Sequence, residues 1–204
     1  MTLLATLRHA ETEWSRDKRI QGRSDVPLSA AGRAALRARS LPAQCAGMRA
    51  VTSPLARCVE TAALLGHAQA LREPRIAEMH WGAWEGQRIA ELRATLGAAM
   101  QANEARGMDF TPEGGESPRR VLERLRPWLA EIAAQAQPTL AFTHRGVIRV
   151  LLAEALGWDM RGRPPAKLDW DAVQVFRLDA AGRPRVDRLN LALEARRADA
   201  ERRA

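Results

Sequence analysis

Short apolar runs alternate with longer amphipathic stretches along the chain. Runs of this length, bounded by polar segments, are typical of buried strands. The strands predicted in this way cover residues 2–7, 48–52, 71–76 and 138–143. Two further runs, residues 173–178 and 185–191, flank Ala181-Gly182, and this arrangement predicts a β-hairpin.

Helix signals fall between these strands. Ser29 is a candidate N-cap for a helix that reaches about Ser40, and the pair Ser53-Pro54 places an N-cap before a proline at the first helical position. Ser117-Pro118 repeats that signal, and an apolar stripe with helical spacing follows it. Pro127 is expected to kink this helix. The remaining helices are predicted at residues 55–65, 89–105 and 146–156.

Alternating strands and helices predict an α/β fold, a three-layer αβα sandwich with a mostly parallel central sheet and helices on both faces. The chain has 204 residues, which suits one well-buried domain. No internal repeat or linker divides it. We therefore predict a single domain over residues 1–193. Residues 194–204 form a charged C-terminal tail, expected to be a solvated helix or disordered.

Composition narrows the class of protein. The net charge is +8, the pI is about 11.1, and Lys18 and Lys167 are the only lysines. Arginine forks suit phosphate oxygens, although a codon bias would also explain their number. Because the arginines are spread along the chain, we expect no nucleic-acid partner. No apolar run is long enough for a membrane span and the N-terminus lacks signal-peptide features, so a cytoplasmic protein without a membrane partner is expected.

Chemistry-bearing residues follow three separate segments of the predicted sheet. Arg8 and His9 follow the first strand, Arg57 opens the helix after the second, and His144 follows the fourth. Ligands of α/β sheets bind at the carboxyl ends of strands, so these side chains should converge. Arginines can hold a phosphomonoester, and a neutral imidazole can attack its phosphorus. Glu78 could protonate the leaving oxygen, and these considerations leave open which histidine attacks.

Five blocks, in order, resemble the motifs of the histidine phosphatase superfamily, the phosphoglycerate mutase-like proteins. They are Arg8-His9-Ala10-Glu11-Thr12, the segment Gly22 to Gly32, the segment Ser53 to Ala62, the segment Glu78 to Gly86, and Thr143-His144-Arg145-Gly146. The resemblance covers about residues 3 to 157.

The resemblance implies a role for each matching residue. His9 is the nucleophile that forms a phosphohistidine, and Glu78 is the proton donor. Arg8, Arg57 and His144 form the phosphate pocket, which the segment Gln21-Gly22 also lines. Two positions depart from the family pattern: Ala10 replaces a glycine, and Ser15 replaces an asparagine that follows tryptophan. The Ser15 hydroxyl can still donate to a phosphate oxygen, but with shorter reach.

Three functions remain after this comparison. The preferred one is a metal-independent phosphatase without cofactors that acts on a small phosphorylated metabolite, similar to the broad-specificity and α-ribazole-phosphate groups. A cofactor-dependent phosphoglycerate mutase is the first alternative, but the adjacent arginine pair of that branch is not found in the insertion at residues 87–108. A non-catalytic phospho-ligand-binding protein is the second alternative. The oligomeric state is left open, with a dimer among the options.

Overall fold

The computed structural model describes residues 1–196, in which a six-stranded sheet lies between helices. The strands are β1 (Thr2–Arg8), β2 (Arg39–Ser40), β3 (Arg49–Thr52), β4 (Leu71–Arg72), β5 (Thr139–Thr143), β6 (Ala172–Leu178), β7 (Pro184–Ala192) and β8 (Glu194–Ala195). The helices are α1 (Glu13–Arg16), α2 (Ala30–Arg37), α3 (Ala56–Leu64), α4 (Ile89–Glu104), α5 (Pro118–Gln135) and α6 (Arg145–Leu156).

The main sheet has the strand order β4-β3-β5-β1-β6-β7. The first four of these strands pair in parallel, whereas β6 and β7 are antiparallel. The predicted α/β class with a mostly parallel sheet is confirmed. The predicted hairpin joins β6 to β7, and Gly182 in its turn has a φ of 79°, a value that favours glycine.

Each buried strand sends alternate side chains to opposite faces of the sheet. In β5, Leu140 and Phe142 pack on the side of α2 and α3, where Cys58 and Ala62 belong to the same cluster. Ala141 faces the other side, together with apolar residues of α5 and α6. The two clusters therefore form two cores, one on each side of the sheet, and this burial holds the three layers together.

The register of the central strands aligns their carboxyl ends. His9 N donates to Thr143 O at 3.0 Å, and Ser53 N donates to Phe142 O at 2.9 Å, so the ladder continues one residue past the strands. His144 follows Thr143 directly and is the N-cap of α6. Residues from three distant parts of the chain thus meet at one edge of the sheet, as expected for parallel strands.

Two local predictions at this side of the sheet were wrong. The strand predicted at residues 71–76 stops after Arg72, because Pro74 opens a 3₁₀ turn over Pro74–Ile76. Ser53 is not the N-cap of α3; that position is Leu55, and no side chain caps it. A residue before proline is biased towards extended backbone, which keeps Ser53 in line with β3. Its hydroxyl oxygen accepts from Leu55 N at 3.4 Å and makes another contact described below.

Further details concern α4, α5 and the C-terminus. Gly97 has non-helical angles that interrupt α4, and α5 continues on both sides of Pro127. Glu194–Ala195 pairs with Arg39–Ser40, so the beginning of the predicted tail is a strand. The rest of the tail, residues 197–204, lies outside the described residues. Across residues 1–196, no helix has the length and apolar character to cross a membrane.

Candidate active site

A cleft of about 810 Å³ opens at the carboxyl ends of β1 and β5. Seven of the eight predicted site residues line it, namely Arg8, His9, Ser15, Gln21, Gly22, Arg57 and Glu78. His144, the eighth, is fully buried and is not part of the cleft wall. The structure therefore gathers the predicted set, with His144 in the layer beneath the surface.

His9 is held as a neutral imidazole. Its side chain is nearly buried, and its Nδ1 lies 2.8 Å from Ala10 O, which assigns the proton to Nδ1 and leaves the Nε2 lone pair free. Burial lowers the pKa of His9 well below the ordinary 6.5, and the charges of Arg8 and Arg57 lower it further. A neutral ring is the form that can act as a nucleophile.

His144 packs against His9, with ring centroids 5.3 Å apart. Its Nε2 lies 2.8 Å from Ser53 Oγ and 3.3 Å from Cys58 Sγ. Burial lowers its pKa well below 6.5, with Arg57, His9 and Arg8 contributing in that order. These partners fix the ring orientation, so Ser53 supports the second histidine instead of capping α3.

Arg57 is fully buried and clamps the loop that precedes α2. Its Nη1 donates to Ser24 O at 2.8 Å and its Nη2 donates to Gly22 O at 2.7 Å. The Nε atoms of Arg57 and Arg8 are buried, and neither finds a hydrogen-bond partner within residues 1–196. Buried donors without a partner cost about 1–3 kcal/mol each, so a ligand that accepts from them is strongly favoured.

Glu78 reaches the cleft from the segment between β4 and α4. Its Oε1 accepts from Met79 N at 2.8 Å, and its Oε2 accepts from Gly146 N at 3.1 Å. A Cβ on Gly146 would lie 2.2 Å from Glu78 Oε1, so only glycine allows this approach at the start of α6. The carboxyl group is thus fixed in the cleft that Arg8 and His9 also line.

Gln21 and Ser15 both line the cleft, but they differ in the hydrogen bonds that their side chains already make. Gln21 Oε1 is buried and has no partner among the described residues. Ser15 Oγ donates to Thr12 O at 3.0 Å and accepts from Thr12 N at 2.9 Å, which forms a capping box at the start of α1. A bond from Ser15 to phosphate would have to replace the one to Thr12 O.

The motif comparison assigned no role to Glu85, which ties two loops of the site together. Its Oε1 accepts from Arg23 N at 2.8 Å and Trp81 N at 3.1 Å. Its Oε2 accepts from Ser24 N at 2.8 Å and Ser24 Oγ at 2.6 Å. Burial raises the pKa of Glu85, but these four bonds outweigh it, and the pKa is lower than usual. In the sequence, the only signal for this role of Glu85 was its position after Trp84 in the motif that begins at Glu78.

Two tryptophans of the same segment have separate positions. Trp81 lines the cleft, whereas Trp84 is buried and packs with Ile20 and Leu92. Both rings contact Phe110, at centroid distances of 5.6 and 5.7 Å. Trp81 is therefore available to a bound ligand, and Trp84 stabilises the loop.

Comparisons with known proteins agree with this geometry. The family model described as the Histidine phosphatase superfamily (branch 1) matches residues 4–192. A glucosyl-3-phosphoglycerate phosphatase from Mycolicibacterium vanbaalenii is 32% identical over 76% of this chain and 74% of that protein. A 2,3-bisphosphoglycerate-dependent phosphoglycerate mutase 2 from Gloeobacter violaceus is 30% identical over 76% of this chain and 75% of that protein.

A solved structure gives the same result. Mycobacterial glucosyl-3-phosphoglycerate phosphatase complexed with VO3 superposes with a TM-score of 0.78 at 28% identity, covering 94% of this chain and 100% of that one. The similarity therefore extends over most of the chain.

Proposed function

The chain belongs to the histidine phosphatase superfamily, and we propose that it hydrolyses a small phosphomonoester through a covalent intermediate on His9. One observation carries this proposal. Two buried guanidinium donors, Arg8 Nε and Arg57 Nε, have no partner within residues 1–196, and both belong to arginines that line the same cleft as a neutral His9. A phosphoryl group satisfies the donors and presents phosphorus to the free Nε2 lone pair.

The reaction has two steps. His9 Nε2 forms a bond to phosphorus while the bond to the ester oxygen breaks, and Glu78 gives its proton to that oxygen. A water molecule then attacks the phosphohistidine, and the Glu78 carboxylate accepts the proton of the water. His9 returns to its starting form and phosphate is released. Arg8 and Arg57 balance the negative charge on the phosphoryl oxygens in both steps.

His144 supports the transferring group in this mechanism. Its ring lies 5.3 Å from that of His9 and is held by Ser53 and Cys58. A bond from its Nε2 to a phosphoryl oxygen would replace the bond to Ser53. Ser53 Oγ also accepts from Leu55 N at 3.4 Å, so it keeps one hydrogen bond after this exchange.

A mutase is the second candidate, because one relative carries that name. The adjacent pair Arg119-Arg120 does not line the cleft; Arg119 pairs with Asp109 at 2.6 Å and Arg120 faces a separate groove. Because neither arginine lines the cleft, their positions favour hydrolysis over mutase activity. If 2- and 3-phosphoglycerate interconvert faster than either releases phosphate, the mutase assignment is the right one.

Phosphate binding without chemistry is the third candidate. Such a protein needs the arginines but has no use for an acid fixed beside a neutral imidazole. Glu78 accepts from two backbone N–H groups and approaches the backbone of Gly146 more closely than a Cβ there would allow. These features favour catalysis.

Trapping the intermediate tests the proposal. We expect the protein to acquire acid-labile, alkali-stable label when it is quenched during turnover of p-nitrophenyl [³²P]phosphate, and His9→Ala to acquire none. His67, which lies against Phe142 outside the cleft, supplies the control: His67→Ala should label like the wild type. Label on His144, or normal turnover by His9→Ala, would contradict the mechanism.

We also infer that the reaction needs no metal ion, since two arginines supply the charge that a cation provides in other phosphatases. Activity towards p-nitrophenyl phosphate should survive excess EDTA. Loss of activity on chelation, restored by a divalent cation, would show that this inference is wrong. A cytoplasmic location and a small phosphorylated metabolite as substrate complete the proposal.

A further inference from the structure

Arg145 and Arg149 lie on one side of the cleft, one turn apart on α6. Residues four apart on a helix share a face, about 6 Å apart along the axis. Neither guanidinium has a carboxylate partner or a hydrogen bond among residues 1–196, and the Nε of Arg149 is buried without a partner. Two like charges on one face repel. Arg145 is exposed to solvent, whereas Arg149 is half-buried.

Aromatic rings hold both guanidinium groups in place. The Arg145 guanidinium lies over Trp170, 4.9 Å from the ring centre, and that of Arg149 lies over Trp158 at 5.4 Å. Stacking uses the face of the guanidinium plane and leaves its N–H edge available. Trp158 is itself fixed, because its Nε1 donates to Arg161 O at 2.9 Å. Both guanidinium groups are therefore held in a fixed orientation and have N–H donors without a partner among residues 1–196.

Arg145 and Arg149 line the same cleft as Arg8 and Arg57, the two arginines proposed to hold the phosphoryl group. Arg145 follows His144, and its charge is the largest electrostatic contribution to the lowered pKa of Arg8, after burial. Burial and the charge of Arg145 also lower the pKa of Arg149. An anion bound between Arg145 and Arg149 would relieve this repulsion while the phosphoryl group occupies the donors of Arg8 and Arg57.

We propose that Arg145 and Arg149 form a second anion subsite, so that the preferred substrate is a phosphomonoester with another anionic group, a carboxylate or a second phosphate. This inference rests on the proposed function and specifies its substrate class. The subsite contributes to binding and takes no part in bond formation. A substrate whose remaining part is neutral leaves the arginine pair without a partner and binds less tightly.

Three phosphomonoesters of similar size test the proposal: glycerol 3-phosphate, 3-phosphoglycerate and 1,3-propanediol bisphosphate. We expect the wild type to have a higher kcat/KM for 3-phosphoglycerate, for the bisphosphate or for both than for glycerol 3-phosphate. The better of the two shows whether the subsite prefers a carboxylate or a second phosphate. The double variant Arg145→Gln/Arg149→Gln should lower that preference by about tenfold, mainly through KM. Arg120→Gln, on the exposed first turn of α5, should preserve it.

Binding to His9→Ala separates this proposal from the proposed function. Titration calorimetry with the same three ligands should show the same preference, and replacing both arginines in that background should remove it. If the wild type hydrolyses none of the compounds but this preference persists, the phosphatase proposal fails and the subsite stands. If the double variant loses the same factor for all three ligands, or loses nothing, the subsite is wrong.

Discussion

The role of Glu85 can be measured with the substitution Glu85→Gln, which keeps the shape of the side chain and removes one acceptor. The carboxylate accepts two hydrogen bonds on each oxygen, from Arg23 N and Trp81 N on Oε1 and from Ser24 N and Ser24 Oγ on Oε2. A glutamine amide has one oxygen, so its NH₂ group must face two donors at whichever side it occupies. The Ser24 hydroxyl can rotate away, but the backbone N–H groups cannot.

The expected loss follows from these bonds. A hydrogen bond to a charged group contributes about 1.5–3 kcal/mol, and Glu85 has a side-chain exposure of only 13%, so solvent compensates little. Losing two such bonds should lower the free energy of unfolding by about 3 kcal/mol. The loop held by Glu85 also supplies the carbonyl groups of Gly22 and Ser24 that orient Arg57, so kcat/KM should fall by about tenfold or more.

Urea unfolding monitored by circular dichroism gives the stability change, and turnover of p-nitrophenyl phosphate gives the activity. Glu91→Gln is the matched control, because Glu91 is a glutamate with 58% side-chain exposure and one ion pair, to Arg88. That variant should lose less than about 1 kcal/mol and retain its activity. Equal losses in the two variants, or a Glu85→Gln protein with wild-type stability and turnover, would refute the reasoning.

Three further predictions concern the site itself. Glu78→Gln should slow the hydrolysis of alkyl phosphates much more than that of 2,4-dinitrophenyl phosphate, and an equal loss across a leaving-group series would argue against a proton donor. Gly146→Ala should reduce kcat by at least about tenfold while the fold persists, since its Cβ would lie 2.2 Å from Glu78 Oε1; a fully active variant would contradict this. Burial lowers the pKa values of His9 and His144 below the ordinary 6.5. As the pH falls, these histidines are therefore protonated in the unfolded state before they are protonated in the folded state. Their contribution to the free energy of unfolding is fully present above pH 6.5 and decreases below it. Urea unfolding at pH 7.5 and 5.5 should show a smaller pH dependence for His9→Asn, by up to about 1.4 kcal/mol per pH unit, and an unchanged dependence would refute the assignment.

The linear sequence was sufficient for the family, the sheet and the residues that converge on the cleft. Apolar runs revealed β1, β3 and β5 because strands buried on both faces have few polar positions. Parallel pairing places the carboxyl ends of such strands together, so His9 and His144 could be predicted to meet. Their motifs also indicated the family, and the family match confirmed that prediction.

Other features depended on contacts between segments that no local pattern records. Glu194–Ala195 pairs with Arg39–Ser40, so that part of the predicted tail joins the fold. Ser53 carries a cap signal but binds His144, which lies 91 residues away. Glu85 holds two loops of the site, and Trp170 and Trp158 orient Arg145 and Arg149. Hydrogen bonds and burial act between side chains that are close in space, and sequence spacing determines that closeness only within one helix or strand.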